Sequence, residues 1–267
     1  MKRIVFLGAG NMAEALVSGL VNSNLVSPSF ITVTDVRPER LQYMADKYAV
    51  AVTPDNKAAV ARADIIFLAV KPQQIEKVLQ DIADTVRPAQ IVVSIAAGIT
   101  TGFIEKLITK GTPVIRTMPN TPALLSAGAV ALCGGSSAGQ YHRDIVKSLF
   151  LPVGMVVELT EDKLNAVTAL SGSGPAYVFY IAEAMEQAGK EMGIPDDLSS
   201  RLARQTVFGA GKMLAELPAT AAELRKQVTS PGGTTEAAIG YMQEKDFLRT
   251  VKDAVIQAQK RAQELSR

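Results

Sequence analysis

The segment IVFLGAGNMA, residues 4–13, decides the fold of the N-terminal half of this chain. An apolar run leads into a Gly-Ala-Gly turn, and the amphipathic pattern after the turn predicts a helix. In a doubly wound fold, Gly8 permits the tight turn, Gly10 leaves room for a pyrophosphate, and Ala13 lets the helix pack closely. The phosphates then bind N–H groups at the positive end of the helix dipole. The dinucleotide-binding residues expected here are Gly8, Ala9, Gly10, Asn11 and Met12.

A glycine-rich turn can also be purely structural, so its sequence context matters. A second predicted strand, Ile31–Thr34, ends at Asp35, where a dinucleotide fold places the group that contacts the adenosine ribose. This context favours nucleotide binding. Asp35 suits the ribose 2′-hydroxyl of NADH and repels a 2′-phosphate, whereas Arg37 and Arg40 suit phosphate recognition. We expect NADPH to be the cofactor and keep NADH as the alternative.

Composition excludes several classes of protein. The chain has 267 residues, 48% of them hydrophobic, and a formal net charge of +2. It is long enough for two modest domains, and its charge gives no indication of a nucleic-acid surface. The single cysteine, Cys133, excludes an internal disulfide and is expected to be a small core residue. No cluster has metal-ligand spacing and no apolar stretch is long enough for a bilayer, so we expect a cytoplasmic protein without a metal site.

The first 160 residues alternate between strand and helix patterns. Short β-branched runs bounded by Gly or Pro predict buried parallel strands, and their alternation with helices predicts βαβ units. The fold class expected is α/β, a doubly wound, mostly parallel, Rossmann-type sheet over residues 1–160. After the first two strands, the predicted strands are Ile65–Val70, Ile91–Ile95, Pro113–Thr117, Ala129–Cys133 and Met155–Leu159, and the predicted helices between strands are 39–48, 56–61, 73–86, 101–108 and 140–150.

Residues 161–267 predict an all-helical domain. A long helix over 161–190 is interrupted near Gly172–Pro175, and further helices are predicted over 196–215, 219–229, 233–244 and 246–265. Helix 196–215 is rich in Ala, Gly and apolar residues and leaves few polar positions to face water. We expect this domain to form a homodimer. The alternative is that the helix lies at the centre of a monomeric bundle.

Two loops follow predicted strands and are expected to border the cofactor, because ligands of open parallel sheets bind beyond the carboxyl ends of the strands. Val70, Lys71 and Pro72 form the first, where Lys71 is either a ribose or phosphate contact or a solvated lysine. In the second, Met118–Ala123, two prolines fix the backbone. Asn120 there is either a contact for the nicotinamide or the substrate, or a residue that bonds its own backbone.

Two later segments combine glycines with hydroxyl side chains. Ala169–Tyr177 predicts either a helix kink or a wall of the substrate site. Val228–Ala237 places two glycines and two threonines at a helix start, which makes a compact nest for a carboxylate or phosphate. A Ser/Thr-capped loop is the alternative for this second segment. The expected substrate-binding residues are Ser230, Gly232, Gly233, Thr234 and Thr235.

Together with Gly8–Ala13, these segments resemble the Δ1-pyrroline-5-carboxylate reductase family over essentially the whole chain. The most specific element is SPGGTT, residues 230–235, and the glycine motif is the least specific. The resemblance implies a dinucleotide domain, an intertwined helical dimer often assembled into decamers, and NAD(P)H-dependent reduction of pyrroline-5-carboxylate to L-proline. It puts Gly8–Met12, Lys71 and Asn120 on the cofactor side and residues 230–235 on the substrate side.

Such a reaction requires orientation and electrostatics more than strong acid–base chemistry. The loop donors are expected to hold the ring carboxylate, and Thr235 is expected to meet the imine nitrogen as the catalytic hydroxyl. A β-hydroxyacid dehydrogenase is one rival, but the Lys163 and Asn165 of this chain are two apart and do not share a helical face. A non-catalytic NADP(H)-binding protein is the other, and it needs no anion nest.

Overall fold

A computed structural model describes residues 2–266 of the chain. Over these residues the N-terminal part alternates strands with helices, as the buried β-branched runs predict. The strands are β1 (Ile4–Leu7), β2 (Ile31–Thr34), β3 (Ala51–Thr53), β4 (Ile65–Leu68), β5 (Ile91–Ser94), β6 (Val114–Met118), β7 (Gly128–Gly134) and β8 (Gly154–Glu158).

The helices follow the predicted order, and most begin and end within a few residues of the predicted bounds. They are α1 (Asn11–Asn22), α2 (Pro38–Tyr48), α3 (Asn56–Arg62), α4 (Ile75–Ile82), α5 (Thr101–Glu105), α6 (Gln140–Phe150), α7 (Leu164–Val167), α8 (Gly174–Glu191), α9 (Asp196–Glu216), α10 (Ala221–Gln227), α11 (Thr234–Glu244) and α12 (Phe247–Glu264).

The eight strands among these residues form one sheet in the order β3-β2-β1-β4-β5-β6-β7-β8. The expectation of a doubly wound, mostly parallel sheet is confirmed. The expectation that the segment containing Ala129–Cys133 is a parallel strand holds for its pairing with β8 and is wrong for its pairing with β6, since β7 runs antiparallel to β6 and pairs Cys133 with Arg116. Only a short connection with the 3₁₀ segment Thr121–Leu125 joins β6 to β7. A connection of that length cannot carry the chain back to the end of the sheet where β6 begins, as a parallel neighbour requires.

Both faces of the sheet are covered, which explains why its central strands are apolar without alternation. In β1, Ile4 and Phe6 belong to one core cluster and Val5 and Leu7 belong to the other. The Phe6 ring stacks on Phe67 of β4 with their centroids 4.5 Å apart. This packing holds β4 beside β1, on the side opposite β2. The strands β2 and β3 therefore extend the sheet on one side of β1, and β4 to β8 extend it on the other.

The tertiary contacts divide the chain into two compact units. The first comprises the residues up to Ser173 together with those from Ala258 onward, and the second is Gly174–Gln257. The predicted boundary at residue 160 marks the end of the strands, whereas the compact units separate at Ser173. The predicted long helix 161–190 is broken by a π-helical turn, Thr168–Gly172.

The second unit is helical and leaves large apolar side chains exposed. Within it, α8 and α9 cross closely at Gly189, where a Cβ atom would overlap the Ser199 hydroxyl. Phe208 and Leu202 of α9 are 64% and 57% exposed. The alternative of α9 as the central helix of a monomeric bundle is therefore wrong. No helix within residues 2–266 combines the length and apolar character needed to cross a membrane.

Candidate active site

The glycine turn after β1 has the backbone that a dinucleotide loop requires. Gly8 has φ +105°, and a Cβ there would lie 2.7 Å from the carbonyl oxygen of Ala69, so a side chain is excluded twice. Gly10 precedes α1, and a Cβ on it would meet no heavy atom within 4 Å. The first helical bond is donated by Glu14 to the Gly10 carbonyl (2.9 Å), which leaves the N–H groups of residues 11–13 ahead of it. The open space and unpaired donors fit a pyrophosphate.

Asp35, at the end of β2, is tied to this turn. One carboxylate oxygen accepts the Ala9 N–H at 2.8 Å, and the carboxylate also forms a two-pronged ion pair with Arg37. Burial alone raises the pKa of Asp35, but the bonds from Arg37 and Ala9 outweigh it and lower the pKa to about 2. Asp35 is therefore a carboxylate at neutral pH, with its partners already in place.

Glu14 of α1 is a polar residue at this end of the sheet that is not among those predicted from the sequence. Its side chain is 13% exposed and accepts bonds from Arg40, Tyr43, Lys47 and Tyr48 of α2. Burial favours the protonated form, yet these donors together lower the pKa of Glu14 to about 2. The signal was present in α2, where Tyr43 and Lys47 stand four residues apart and so share one helical face.

The loop after β4 closes the other side of the turn. A Cβ on Gly8 would lie 3.0 Å from the Val70 side chain, and Pro72 begins a short 3₁₀ turn that Lys71 precedes. Lys71 is exposed. Because β2, β1 and β4 are adjacent in the sheet, their carboxyl ends bring together the predicted cofactor residues Gly8–Met12, Asp35, Arg37 and Val70–Pro72.

Asn120 lies further along the sheet, beyond β6, and its side chain is occupied by backbone groups. The carboxamide oxygen accepts the Ala129 N–H at 2.8 Å, and the amide nitrogen donates to the Ser171 carbonyl at 3.0 Å. Asn120 is 8% exposed. These bonds join the loop after β6 to β7 and to the π-helical turn. The predicted contact of Asn120 with cofactor stays a prediction, and the carboxamide keeps one N–H and one oxygen lone pair beyond these two bonds.

The π-helical turn Thr168–Gly172 explains the irregularity predicted around Gly172. The Ser173 N–H donates to the Thr168 carbonyl at 2.8 Å, five residues back. Gly172 is packed so tightly against Met118 of β6 that a Cβ would overlap that side chain. The turn thus brings the helix backbone close to the end of β6, within the first unit.

The predicted substrate loop lies in the second unit, between α10 and α11. Gly232 adopts φ +70°, and the N–H of Gly233 bonds back to the Ser230 carbonyl at 3.0 Å. The first helical bond of α11 is the one from Ala237 to the Gly233 carbonyl. The N–H groups of Thr234 and Thr235 therefore lie ahead of the helical ladder, as in an anion-binding helix start.

One donor of this loop is already bound to a carboxylate. The Gly232 N–H donates to Oε2 of Glu236 at 2.7 Å. Glu236 follows the SPGGTT segment directly and is not among the site residues predicted from the sequence. Its position shows that a carboxylate fits the loop, and it also puts a negative charge beside the predicted anion site.

The Cys133 thiol and the Lys163–Asn165 pair have surroundings that do not suit a catalytic role. Cys133 is 3% exposed, and burial raises the pKa of its thiol to about 12, so it is the core residue expected. Lys163 is exposed and paired with Asp162 at 2.8 Å, while Asn165 accepts a bond from the buried Arg116 at 3.1 Å. Lys163 and Asn165 thus have separate partners, which argues against the lysine–asparagine pair of a β-hydroxyacid dehydrogenase.

Two family models match separate parts of the chain. Residues 3–98 match the model described as NADP oxidoreductase, coenzyme F420-dependent. Residues 161–265 match pyrroline-5-carboxylate reductase dimerisation. The first match covers the strands and loops that carry Gly8–Met12, Asp35 and Lys71, and the second covers the loop with residues 230–235.

Full-length relatives decide the family. A pyrroline-5-carboxylate reductase of Pseudomonas aeruginosa is 41% identical over 265 residues, which cover 99% of this chain and 97% of the relative. The chain belongs to the pyrroline-5-carboxylate reductase family. Pyrroline-5-carboxylate reductase 3 of Danio rerio is likewise 41% identical over 263 residues, covering 98% of this chain and 91% of that protein.

Solved structures of pyrroline-5-carboxylate reductases share the fold. The enzyme of Coxiella burnetii matches with a TM-score of 0.92 and 38% identity, covering 100% of this chain and 99% of the other. The enzyme of Plasmodium falciparum, solved with NADP bound, matches with a TM-score of 0.89 and 26% identity over 100% and 98% of the two chains. The fold and family expected from the sequence are confirmed.

Proposed function

We propose that this chain reduces Δ1-pyrroline-5-carboxylate to L-proline with NAD(P)H. The observation that carries the proposal is the full-length match to pyrroline-5-carboxylate reductases, which runs through the glycine turn of β1 and through the loop before α11. The two loops have complementary chemistry, since one exposes donors for a dinucleotide and the other for a small anion.

On the cofactor side, the proposed contacts are the N–H groups at the start of α1 for the pyrophosphate and the residues after β2 and β4 for the adenosine ribose. Asn120 is the proposed contact near the nicotinamide. The reduced nicotinamide supplies the hydride for the carbon of the substrate C=N bond when the cofactor is bound. The chain holds and orients the ring, and we propose NADPH as the preferred form because Arg37 follows the end of β2, near which dinucleotide folds place an arginine for the 2′-phosphate.

On the substrate side, Ser230, Gly232, Gly233, Thr234 and Thr235 are proposed to bind the ring carboxylate and to orient the imine. The backbone N–H groups at the start of α11 lie at the positive end of the helix dipole, which stabilises a bound carboxylate. The Thr235 hydroxyl is proposed to accept the N–H of the protonated imine and keep it in place while the carbon becomes reduced. A substrate that binds as the iminium requires no strong acid from the protein.

We further propose that residues 1–160 form the dinucleotide half and residues 161–267 the half that binds substrate and dimerises. Exposed apolar side chains on α8 and α9 support a homodimer through these helices, with the substrate loop completed across the dimer. Assembly into a decamer and a cytoplasmic location complete the proposal. No nucleic-acid or membrane partner is proposed.

The deciding experiment measures oxidation of NADPH and NADH side by side by the purified protein with pyrroline-5-carboxylate, together with formation of proline. We expect turnover with both coenzymes and a lower KM for NADPH. Oxidation of a β-hydroxyacid without imine reduction would favour the dehydrogenase rival. Tight cofactor binding without turnover of any imine would favour a non-catalytic binding protein.

A further inference from the structure

The carboxylate at the end of β2 has an unusual set of partners for a residue in its position. In a dinucleotide fold, an acidic residue there accepts the ribose 2′-hydroxyl of NADH and repels the 2′-phosphate of NADPH. That role requires carboxylate lone pairs that point toward the ribose and a charge that nothing nearby cancels. Neither condition holds for Asp35.

Four bonds from the protein reach the Asp35 carboxylate. Oδ1 accepts the Arg37 Nε–H at 2.9 Å and the Arg37 backbone N–H at 3.0 Å. Oδ2 accepts the Ala9 N–H at 2.8 Å and an Arg37 Nη2–H at 3.0 Å. A carboxylate offers about four acceptor positions, so Asp35 is fully occupied. Its side chain is also only 7% exposed, and a ribose hydroxyl has to displace one of these bonds.

Arg37 is held by this pairing in a defined orientation. The ion pair uses Nε–H and one N–H of Nη2, and within residues 2–266 the remaining guanidinium N–H groups have no acceptor. The Arg37 side chain is 52% exposed, so this outer edge is accessible to a ligand. A planar fork with its inner edge fixed is suited to bidentate binding of a phosphate by its outer edge.

Arg40, the second arginine of the loop, serves a different purpose. Its Nε donates to the Ala9 carbonyl and its Nη2 to Glu14, and its guanidinium lies 4.6 Å from the centre of the Tyr43 ring. The side chain is 19% exposed. Since Asp35 accepts the N–H of Ala9 and Arg40 donates to its carbonyl, the two residues fix the peptide groups on both sides of Ala9. Of these two arginines, Arg37 is the one with a guanidinium edge left to meet an incoming phosphate.

We propose that Asp35 is a positioning residue that orients the Arg37 guanidinium toward the 2′-phosphate of NADPH, so that the acidic residue after β2 favours NADPH in this chain. The ion pair cancels the charge that repels a phosphate in other dinucleotide folds. Asp35 therefore acts through Arg37, and its effect disappears when Arg37 is absent. The inference rests on the proposed use of NAD(P)H.

The test is calorimetric binding of NADP⁺, NAD⁺, 2′,5′-ADP and 5′-ADP to the wild type, Asp35→Asn, Arg37→Ala and the double variant. Asparagine keeps the shape and one acceptor but loses the charge pairing. We expect the wild type to bind the 2′-phosphorylated ligand of each pair more tightly. Asp35→Asn should lower the affinity for NADP⁺ and 2′,5′-ADP by about ten-fold and the affinity for the other two ligands by less than about three-fold. The double variant should lose no more affinity for the 2′-phosphorylated ligands than Arg37→Ala does.

Asp46→Asn is the matched control, because Asp46 is an exposed acidic residue of α2 that accepts a bond from Gln42 and none from Arg37. It should leave the affinity ratios unchanged, and thermal melts should show all variants folded. Tighter NADP⁺ binding by Asp35→Asn, a larger loss for NAD⁺ than for NADP⁺, or additive losses in the double variant would overturn the inference.

The two proposals fail in different ways. Wild-type protein that reduces pyrroline-5-carboxylate but binds the phosphorylated and unphosphorylated ligands equally would overturn this inference and leave the proposed function intact. Wild-type protein that binds none of the four ligands would overturn both.

Discussion

Glu14 illustrates how one partly buried carboxylate joins two helices beside the dinucleotide turn. It accepts bonds from four side chains of α2, and two of them, Arg40 and Lys47, are cationic. Charge-assisted bonds of this kind are stronger than neutral ones. When the acceptor is replaced, the side chains that donate to it are left without a partner. The cluster therefore stabilises the contact of α1 with α2 and, through Arg40, the carbonyl of Ala9.

Replacing Glu14 by Gln should lower the free energy of unfolding by about 1–3 kcal/mol at neutral pH. The pKa of Glu14 lies at about 2 in the folded protein against an ordinary value of 4.5. The unfolded chain thus takes up this proton first as the pH falls, and the contribution of Glu14 is complete above about pH 5 and is lost toward pH 2. The variant should lose less stability than the wild type in this window.

Urea denaturation at several pH values and one protein concentration checks this expectation, because dimerisation makes stability depend on concentration. Asp81→Asn, a change of charge on α4 away from the cluster, serves as the control. Parallel pH profiles for the wild type and Glu14→Gln would show that the carboxylate contributes nothing as an ion.

Thr235 carries the proposed catalytic hydroxyl, and an isosteric change isolates it. Thr235→Val removes the hydroxyl while preserving shape, so kcat for pyrroline-5-carboxylate should fall by about 10- to 100-fold. The KM for NADPH should change little, and Thr235→Ser should retain most of the activity. Steady-state kinetics with both substrates varied gives these values. Full activity of Thr235→Val would remove this residue from the reaction.

At the scale of an element, the start of α11 and the loop before it form the proposed anion site. The N–H groups of Thr234 and Thr235 precede the first helical bond, and they add to the positive end of the helix dipole. Methyl-esterified pyrroline-5-carboxylate has no negative charge for these donors. Its KM should exceed that of the free acid by about ten-fold or more in the same assay. Equal KM values would place the carboxylate elsewhere.

Glu236 modifies the charge of the same loop. Its carboxylate lies on the Gly232 N–H, where it repels a second carboxylate nearby. Glu236→Gln keeps an acceptor for that N–H and removes the charge, so the KM for pyrroline-5-carboxylate should fall by about two- to five-fold. Glu244→Gln, at the other end of α11, is the matched control. A rise in KM for Glu236→Gln would mean that the charged form is needed to shape the loop.

At the scale of the whole molecule, the second unit exposes several large apolar side chains. Phe208, Leu202 and Leu214 of α9 are all more than half exposed. Exposed apolar surface of this extent marks an interface, and the match to a dimerisation model over residues 161–265 identifies the partner as a second copy.

Phe208→Asp should therefore weaken dimerisation by about 100-fold or more, since it places an unpaired charge in the interface. Thr206→Asp, which introduces the same side chain on the opposite face of α9, should have a smaller effect. Light scattering at decreasing protein concentration measures the change, and activity should fall together with the dimer. An unchanged mass for Phe208→Asp at low concentration would remove this face of α9 from the interface.

The sequence by itself determined the order of strands and helices, because hydrophobic period, glycine turns and prolines act within a few residues. It also indicated the glycine turn after β1 and the loop at residues 230–235. It missed β3, Ala51–Thr53, whose three residues are too short to show a period. The antiparallel direction of β7 was missed for a different reason, since strand direction depends on the connection and on the neighbouring strand.

Only the tertiary structure decided what the polar side chains bind. Asp35 and Ala9, Glu14 and Arg40, and Asn120 and Ser171 are each separated by more than 20 residues, and their bonds exist because the packing of neighbouring elements brings them together. A pattern within one segment specifies backbone conformation, whereas hydrogen bonds between segments depend on how those segments are packed. For this reason Asp35 looked like a ribose acceptor in the sequence and proved to be the partner of Arg37 in the fold.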